Sequence, residues 1–241
     1  MTVTAQLIPI LNDNYAWLLK DSTTGATAIV DPAEAGPIIA AIDAAGGRLD
    51  MILLTHHHGD HVADTDVIRA RYKCPVVGAS ADAHRLPKLD QAVKEGDTVT
   101  LGNAKAQVIE TPGHTRGQIN FFVPDGPVLL SGDTLFSLGC GRLIEGSPQE
   151  MFDSLAKLKA LPADTLVCCG HEYTESNARF ALHVDPSNTA LQAMSKAASA
   201  ARAAGKPSVP TRMGDELQAN PFLTAATVAA FTERRAGKDK F

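Results

Sequence analysis

The stretch Thr55-His56-His57-His58-Gly59-Asp60-His61 limits the folds open to this chain more than any other. It places four metal-ligand side chains, His56, His58, Asp60 and His61, just after the apolar run Met51-Ile52-Leu53-Leu54. Neutral imidazole and carboxylate are donors suited to zinc, iron or manganese, and an apolar core does not hold four such groups without charge compensation. The chain is therefore expected to carry a buried strand into a metal site. If the backbone stays extended, His56, His58 and Asp60 share one face; a turn through Gly59 instead aims Asp60 and His61 at a second point nearby. The motif thus predicts two adjacent ions.

Three more ligand-type residues each follow a strand-like segment. His114 lies in Thr111-Pro112-Gly113-His114-Thr115 after Ala106-Gln107-Val108-Ile109-Glu110, Asp133 follows Val128-Leu129-Leu130-Ser131-Gly132, and His171 follows Leu166-Val167-Cys168-Cys169-Gly170. Strand exits are where open sheets place their ligands, because loops there escape the packing demands of the core. Together these make seven candidate ligands, which is what two ions sharing one bridging carboxylate require.

With 241 residues, 44% of them apolar and 20% charged, the chain can bury a full core. A net charge of −5 argues against a nucleic-acid partner. No apolar run reaches membrane-spanning length, and the first residues lack a basic stretch followed by an apolar one, so a cytoplasmic, membrane-free enzyme is expected. The cysteines Cys74, Cys140, Cys168 and Cys169 have no zinc-ribbon spacing and read as small core or loop residues without disulfides.

Strand-like and helix-like runs alternate through the first part of the chain. Helices are predicted over Pro37 to Ala45, ended by Gly46-Gly47, and over Ala63 to Tyr72. Strands are predicted at Leu49 to Leu54, Val76-Val77, Thr98 to Leu101, Ala104 to Glu110 and Asn120 to Val123. The turn Pro124-Asp125-Gly126-Pro127 should close the last of these into a hairpin with Val128 to Ser131. Ser147-Pro148-Gln149-Glu150 reads as a capping box opening a helix with Met151, Leu155, Leu158 and Leu161 on its core face. From Glu175 onward the sequence is alanine-rich and helical with no strand-like run, which sets a boundary near residue 172.

These residues resemble a known family. His56-x-His58-x-Asp60-His61 with His114, Asp133 and His171, and an Asp31 closing Thr27-Ala28-Ile29-Val30, follow the pattern of the metallo-β-lactamase superfamily. Asn12-Asp13-Asn14-Tyr15, Gly132-Asp133-Thr134-Leu135-Phe136, Gly139-Cys140-Gly141-Arg142, Gly170-His171-Glu172-Tyr173-Thr174, Asn220-Pro221-Phe222-Leu223 and the tail Arg235-x-x-Lys238-Asp239-x-Phe241 look more narrowly like the glyoxalase II family of hydroxyacylglutathione hydrolases. The resemblance implies an α/β (α+β) metallo-β-lactamase αββα sandwich over residues 1–172, followed by a smaller all-helical glutathione-binding domain over 173–241.

Carried over by position, it implies a first ion on His56, His58 and His114, a second on Asp60, His61 and His171, and Asp133 on both, with zinc foremost and iron or manganese as alternatives. Asp31 would fix a histidine from behind, while Arg142, Tyr173, Arg235 and Lys238 would bind the glutathione part of the substrate; Asp133, Asp60 and His58 carry the catalytic burden. His57, His84 and His183 are left as structural or exposed residues. Ile144 stands where the family often has an aromatic residue, and Thr224 where an arginine is usual.

Two adjacent cations lower the pKa of a shared water from about 15.7 toward about 7 and polarise a carbonyl. A thiolate, whose conjugate acid has a pKa of roughly 8.5, leaves with little general-acid help, so the lack of an obvious acid residue suits a thioester. The resemblance implies hydrolysis of S-(2-hydroxyacyl)glutathione, typically the D-lactoyl compound, and a monomer is expected. The rival readings are a lactonase- or β-lactamase-like hydrolase of the same fold, against which the tail argues, and a mononuclear iron persulfide dioxygenase, which would use only His58-, His114- and Asp133-type ligands.

Overall fold

The structure, a computed structural model, describes residues 3–241. It divides into two compact units, the first running to Glu110 and taking in Gly117–Gly132, the second made of Thr111–Arg116 and Asp133–Phe241.

The first unit contains β1 (Val3–Ile10), β2 (Asn14–Asp21), β3 (Thr27–Val30), α1 (Ala35–Ala44), β4 (Met51–Leu53), α2 (Gly59–Val62), α3 (Thr65–Tyr72), β5 (Val76–Ala79), β6 (Gln91–Val93), β7 (Thr98–Leu101), β8 (Ala104–Glu110), β9 (Ile119–Val123) and β10 (Val128–Gly132). One sheet runs in the order β1-β2-β3-β4-β5-β6. Its first three strands are antiparallel, and β3 to β6 pair in parallel. Parallel neighbours need a crossover, which α1 supplies between β3 and β4 and α3 between β4 and β5. Ile38 and Ile42 of α1 and Ile68 of α3 are buried in one core with Ile29, Ile52 and Leu54. The second set of strands, β10-β9-β8-β7, is antiparallel throughout, and β9 and β10 form the expected hairpin.

The second unit contains β11 (Leu135–Phe136), β12 (Gly139–Cys140), α4 (Pro148–Lys159), β13 (Leu166–Cys169), α5 (Thr174–Val184), α6 (Thr189–Ala203), β14 (Thr211–Arg212), α7 (Met213–Ala219) and α8 (Val228–Lys238). The capping box at α4 is complete: Glu150 N donates to Ser147 Oγ, and Ser147 N to Glu150 Oε2. Its buried face is Met151, Leu155 and Leu158, with Leu161 only partly covered beyond the helix end.

Two expectations are corrected. The segment after Glu175 is not wholly helical, because Thr211-Arg212 pairs with Leu166-Val167 as a short strand; two residues between Pro210 and a helix show no period that sequence could reveal. The strand expected from Leu49 is shorter, beginning at Met51. Within the second unit Asn177 of α5 donates to the Ser137 carbonyl between β11 and β12. Among the described residues no helix is long and apolar enough to cross a membrane.

Candidate metal centre and adjoining cavity

In the first unit β4 ends at Leu53, and the histidine motif does not continue as an extended strand. His58 caps the short helix α2, which carries Asp60 and His61. The turn through Gly59 is therefore the alternative realised, and the motif presents two pairs of donors. His56 Nε2 and His58 Nδ1 lie 3.1 Å apart, and His61 Nε2 lies 3.8 Å from Asp60 Oδ2. Two nitrogens each 2.0–2.1 Å from a tetrahedral zinc would be about 3.3 Å apart, so the first spacing fits a shared ion.

Asp31 aligns both pairs. Its Oδ2 accepts from His61 Nδ1 at 2.9 Å and from Thr55 Oγ1 at 2.7 Å, and its Oδ1 accepts from Thr55 N. Since the single Thr55 hydroxyl hydrogen goes to Asp31, the 3.0 Å contact between Thr55 Oγ1 and His56 Nδ1 needs the histidine as donor. Both buried imidazoles are thereby held with Nδ1 as the donor and Nε2 turned toward the other ligand-type side chains, the arrangement that outer carboxylates impose on metal ligands. Asp31 sits at φ 52°, a left-handed conformation that aspartate tolerates better than most residues. Asp31→Ala is expected to weaken metal affinity about 10- to 100-fold, the usual effect of removing such a partner. Competition against a chromogenic chelator measures it, and an unchanged affinity would reduce Asp31 to a turn former.

Asn14, part of the Asn12-Asp13-Asn14-Tyr15 motif, has a role that the sequence does not reveal. Its Nδ2 donates to Asp60 Oδ2 at 3.0 Å and to Asp60 O at 3.2 Å, fixing an otherwise half-exposed carboxylate. His57 turns away to the buried Asp82, 3.0 Å from its Nδ1.

In the second unit a single oxygen, Asp133 Oδ2, lies 3.5 Å from His114 Nε2 and 3.3 Å from His171 Nε2. All three residues are buried. His114 Nδ1 donates to the Arg142 carbonyl at 2.9 Å, which again leaves Nε2 to face the carboxylate. A Cβ at position 141 would collide with the Asp133 carbonyl oxygen, which is why Gly141 stands there. The His171 ring stacks on Tyr173 with centroids 4.6 Å apart and planes 7° from parallel, and Phe136 meets both rings edge-on.

A cavity of about 410 Å³ opens beside these residues, lined by His114, Asp133, Phe136, Cys140, Arg142, Tyr173, Ser176, Asn177, Arg235 and Lys238. It thus brings together within one unit two candidate ligands and all four residues expected to bind substrate. The four differ in availability. Arg142 is exposed and lies 3.8 Å from Asp239, whereas Arg235 is buried, with Nη1 on the Cys140 carbonyl and Nη2 on Asp239. Lys238 Nζ donates to Ser176 O and Oγ. Partial burial, with the Arg235, Arg179 and Arg142 guanidiniums nearby, holds the Lys238 ammonium below the usual lysine range. Such a cluster of cations favours an anionic guest. Cys140 offers no nucleophile, since burial pushes its thiol up to about 11. Ile144 is exposed and does not line the cavity.

Comparison with known proteins adds to this geometry. Residues 11–171 match the profile of the metallo-beta-lactamase superfamily, and residues 172–241 match that of the hydroxyacylglutathione hydrolase C-terminus. The chain is 53% identical over 234 residues to a hydroxyacylglutathione hydrolase of Acidiphilium cryptum, covering 97% of this chain and 95% of that one. It is 50% identical over 248 residues to one of Ruegeria pomeroyi, covering 97% of each. Among solved structures, ETHE1 from Myxococcus xanthus superposes with a TM-score of 0.72 at 24% identity, over 98% of this chain and 90% of that one. The BLEG-1 B3 metallo-beta-lactamase gives 0.71 at 24% identity, over 92% and 100%. At that identity the two structures speak for the fold alone.

Proposed function

Since the chain belongs to the metallo-β-lactamase superfamily and within it to the hydroxyacylglutathione hydrolases, we propose that it cleaves S-(2-hydroxyacyl)glutathione, such as the D-lactoyl thioester, to glutathione and the 2-hydroxy acid on two divalent ions. The observation that carries the binding side of this reading is the cavity in which His114 and Asp133 share walls with Arg142, Tyr173, Arg235 and Lys238. Family correspondence assigns His56, His58 and His114 to one ion and Asp60, His61 and His171 to the other, with Asp133 common to both. The donor spacings within each unit suit these sets, and the oxygen-and-imidazole chemistry accepts zinc first, with iron or manganese as alternatives.

When bound, the ions supply an acidified water and a Lewis acid for the thioester carbonyl. The residues themselves do the rest. Asp31 and Thr55 keep His56 and His61 in the tautomer that offers Nε2. Asn14 holds Asp60, and the Arg142 carbonyl holds His114. Arg142 and Lys238 attract the glutathione carboxylates, and Tyr173, its ring held by stacking on His171, lines the same recess for the glutathione part. Glutathione leaves as a thiolate and takes a proton from solvent, so no acid residue is needed at neutral pH.

The test is elemental analysis of the purified protein after exhaustive buffer exchange, with hydrolysis of a glutathione thioester followed on the same sample. About two ions per chain with turnover is expected, since seven ligands exceed what one tetrahedral or octahedral ion takes from protein. Full activity at a stable ratio near one would end the two-ion reading, and oxygen uptake with a glutathione persulfide would replace the hydrolase by an oxygenase.

A further inference from the structure

The hairpin of β11 and β12 carries Phe136 and Cys140 into the cavity wall, yet its turn is held by side chains from outside it. Leu138, at φ 56°, is in a left-handed conformation that a bulky residue rarely adopts and that persists only where the surroundings over-determine it. Here its side chain is buried among Ala178, Ala181, Leu191 and Ala219, and its N–H donates to Glu216 Oε2 at 2.8 Å. Asn220 Nδ2 lies 3.1 Å from the Phe136 carbonyl, 3.0 Å from that of Gly139 and 3.0 Å from Glu216 Oε2. Asn177 Nδ2 takes the Ser137 carbonyl at 3.0 Å, and Arg235 Nη1 that of Cys140 at 2.8 Å. The carbonyls at 136, 137, 139 and 140 thus each accept from a buried side chain of a helix or the turn after it.

Glu216 and Asn220 are wholly buried. Glu216 also accepts from Thr211 Oγ1 at 2.7 Å, and Asn220 Oδ1 from Phe222 N at 3.0 Å, so each group has its partners and a defined orientation. At the base of the hairpin Gly141 N donates to Thr134 O. That bond separates the held turn from Asp133 and from the Arg142 carbonyl that orients His114.

We infer that Glu216 and Asn220 form a latch that sets the shape of the cavity wall, making them positioning residues for the glutathione part of the substrate. The inference rests on the hydrolase reading above. Because the latch grips the turn and not the base, loosening it alters substrate binding before it alters the metal ligands.

Hydrogen exchange over residues 135–140, metal content, and kinetics on a glutathione thioester and on a small glutathione-free thioester test this together. Asn220→Asp is the critical variant, since it keeps size and shape but turns a donor into an acceptor facing three oxygens. Asn220→Asp and Asn220→Ala are expected to speed exchange at Leu138 about tenfold or more, as unmatched buried carbonyls open the turn. KM for the glutathione thioester should rise about tenfold at wild-type metal content, while the small thioester changes by less than about threefold. Glu216→Gln, which keeps one acceptor oxygen, should exchange more slowly than Glu216→Ala, and this pair decides the matter if the Asn220 variants do not fold. Unchanged exchange, an Asn220→Asp protein like wild type, or equal losses on both substrates with loss of metal would overturn the latch. A wild type inactive on the glutathione thioester would overturn the hydrolase reading, while the exchange comparison would still decide whether the turn is latched.

Discussion

Asp133→Ala is expected to lower kcat/KM for the glutathione thioester by more than about a hundredfold, since losing even an outer partner of a metal ligand costs up to that much. Asp133 Oδ2 is within 3.5 Å of the Nε2 atoms of both His114 and His171. No neighbouring carboxylate in that group of three replaces it, so the same substitution should also reduce the metal retained after buffer exchange. Asp133→Asn, which keeps the shape and one acceptor but removes the charge, should fall between alanine and wild type in both measurements. If metal and turnover both survived Asp133→Ala, the residue would be no more than the turn at the end of β10.

Replacing Arg235 and Lys238 together by alanine should reduce kcat/KM for a glutathione thioester by roughly ten- to several-hundred-fold, each charge-assisted hydrogen bond contributing about 1.5 to 3 kcal/mol. A small thioester should be nearly unaffected, because binding energy remote from the reacting bond acts mainly through KM. The single variants should behave differently. Lys238 is bonded to Ser176 at the cavity edge, so Lys238→Ala is expected to change KM with little effect on melting. Arg235 is buried over the Phe222 ring at 5.0 Å and holds the Cys140 carbonyl, so Arg235→Ala should also cost about 1 to 3 kcal/mol of stability for the acceptor left bare. Thermal melting beside kinetics at fixed ionic strength separates the two; an Arg235→Ala protein with unchanged melting would show that the guanidinium bears no structural role.

The candidate ligands stood out in the sequence because each is of a type that a core rejects and each follows an apolar strand. The strands β7 and β8 begin and end where alternation and glycine turns placed them, and the Ser147 capping box formed as read. The turn of β11 and β12 was not legible, since two-residue strands have no period and Leu138 gives no sign of a left-handed backbone. Glu216 was hidden for another reason. In Gly214-Asp215-Glu216-Leu217 it looks like one more solvated helix acid, and only its burial opposite Leu138, 78 residues earlier, reveals its task. Asn14, Asn177 and Asn220 share that difficulty, because an asparagine that binds distant backbone looks in sequence like one that binds water. The one available signal was Asn220 itself, standing four residues after Glu216 on the face that also carries the buried Met213.

The bond from Arg235 to the Cys140 carbonyl spans 95 residues. At a synthesis rate of about 5–20 residues per second, the guanidinium is made roughly 5 to 20 s after the carbonyl it must find. The nascent chain spends that interval with Cys140 uncovered and the recess beside it lacking a wall, and for about its last two thirds the histidines through His171 have already been translated. On the proposed function, the candidate metal ligands are therefore all made well before Arg235, and the recess for glutathione is the part of the site completed last.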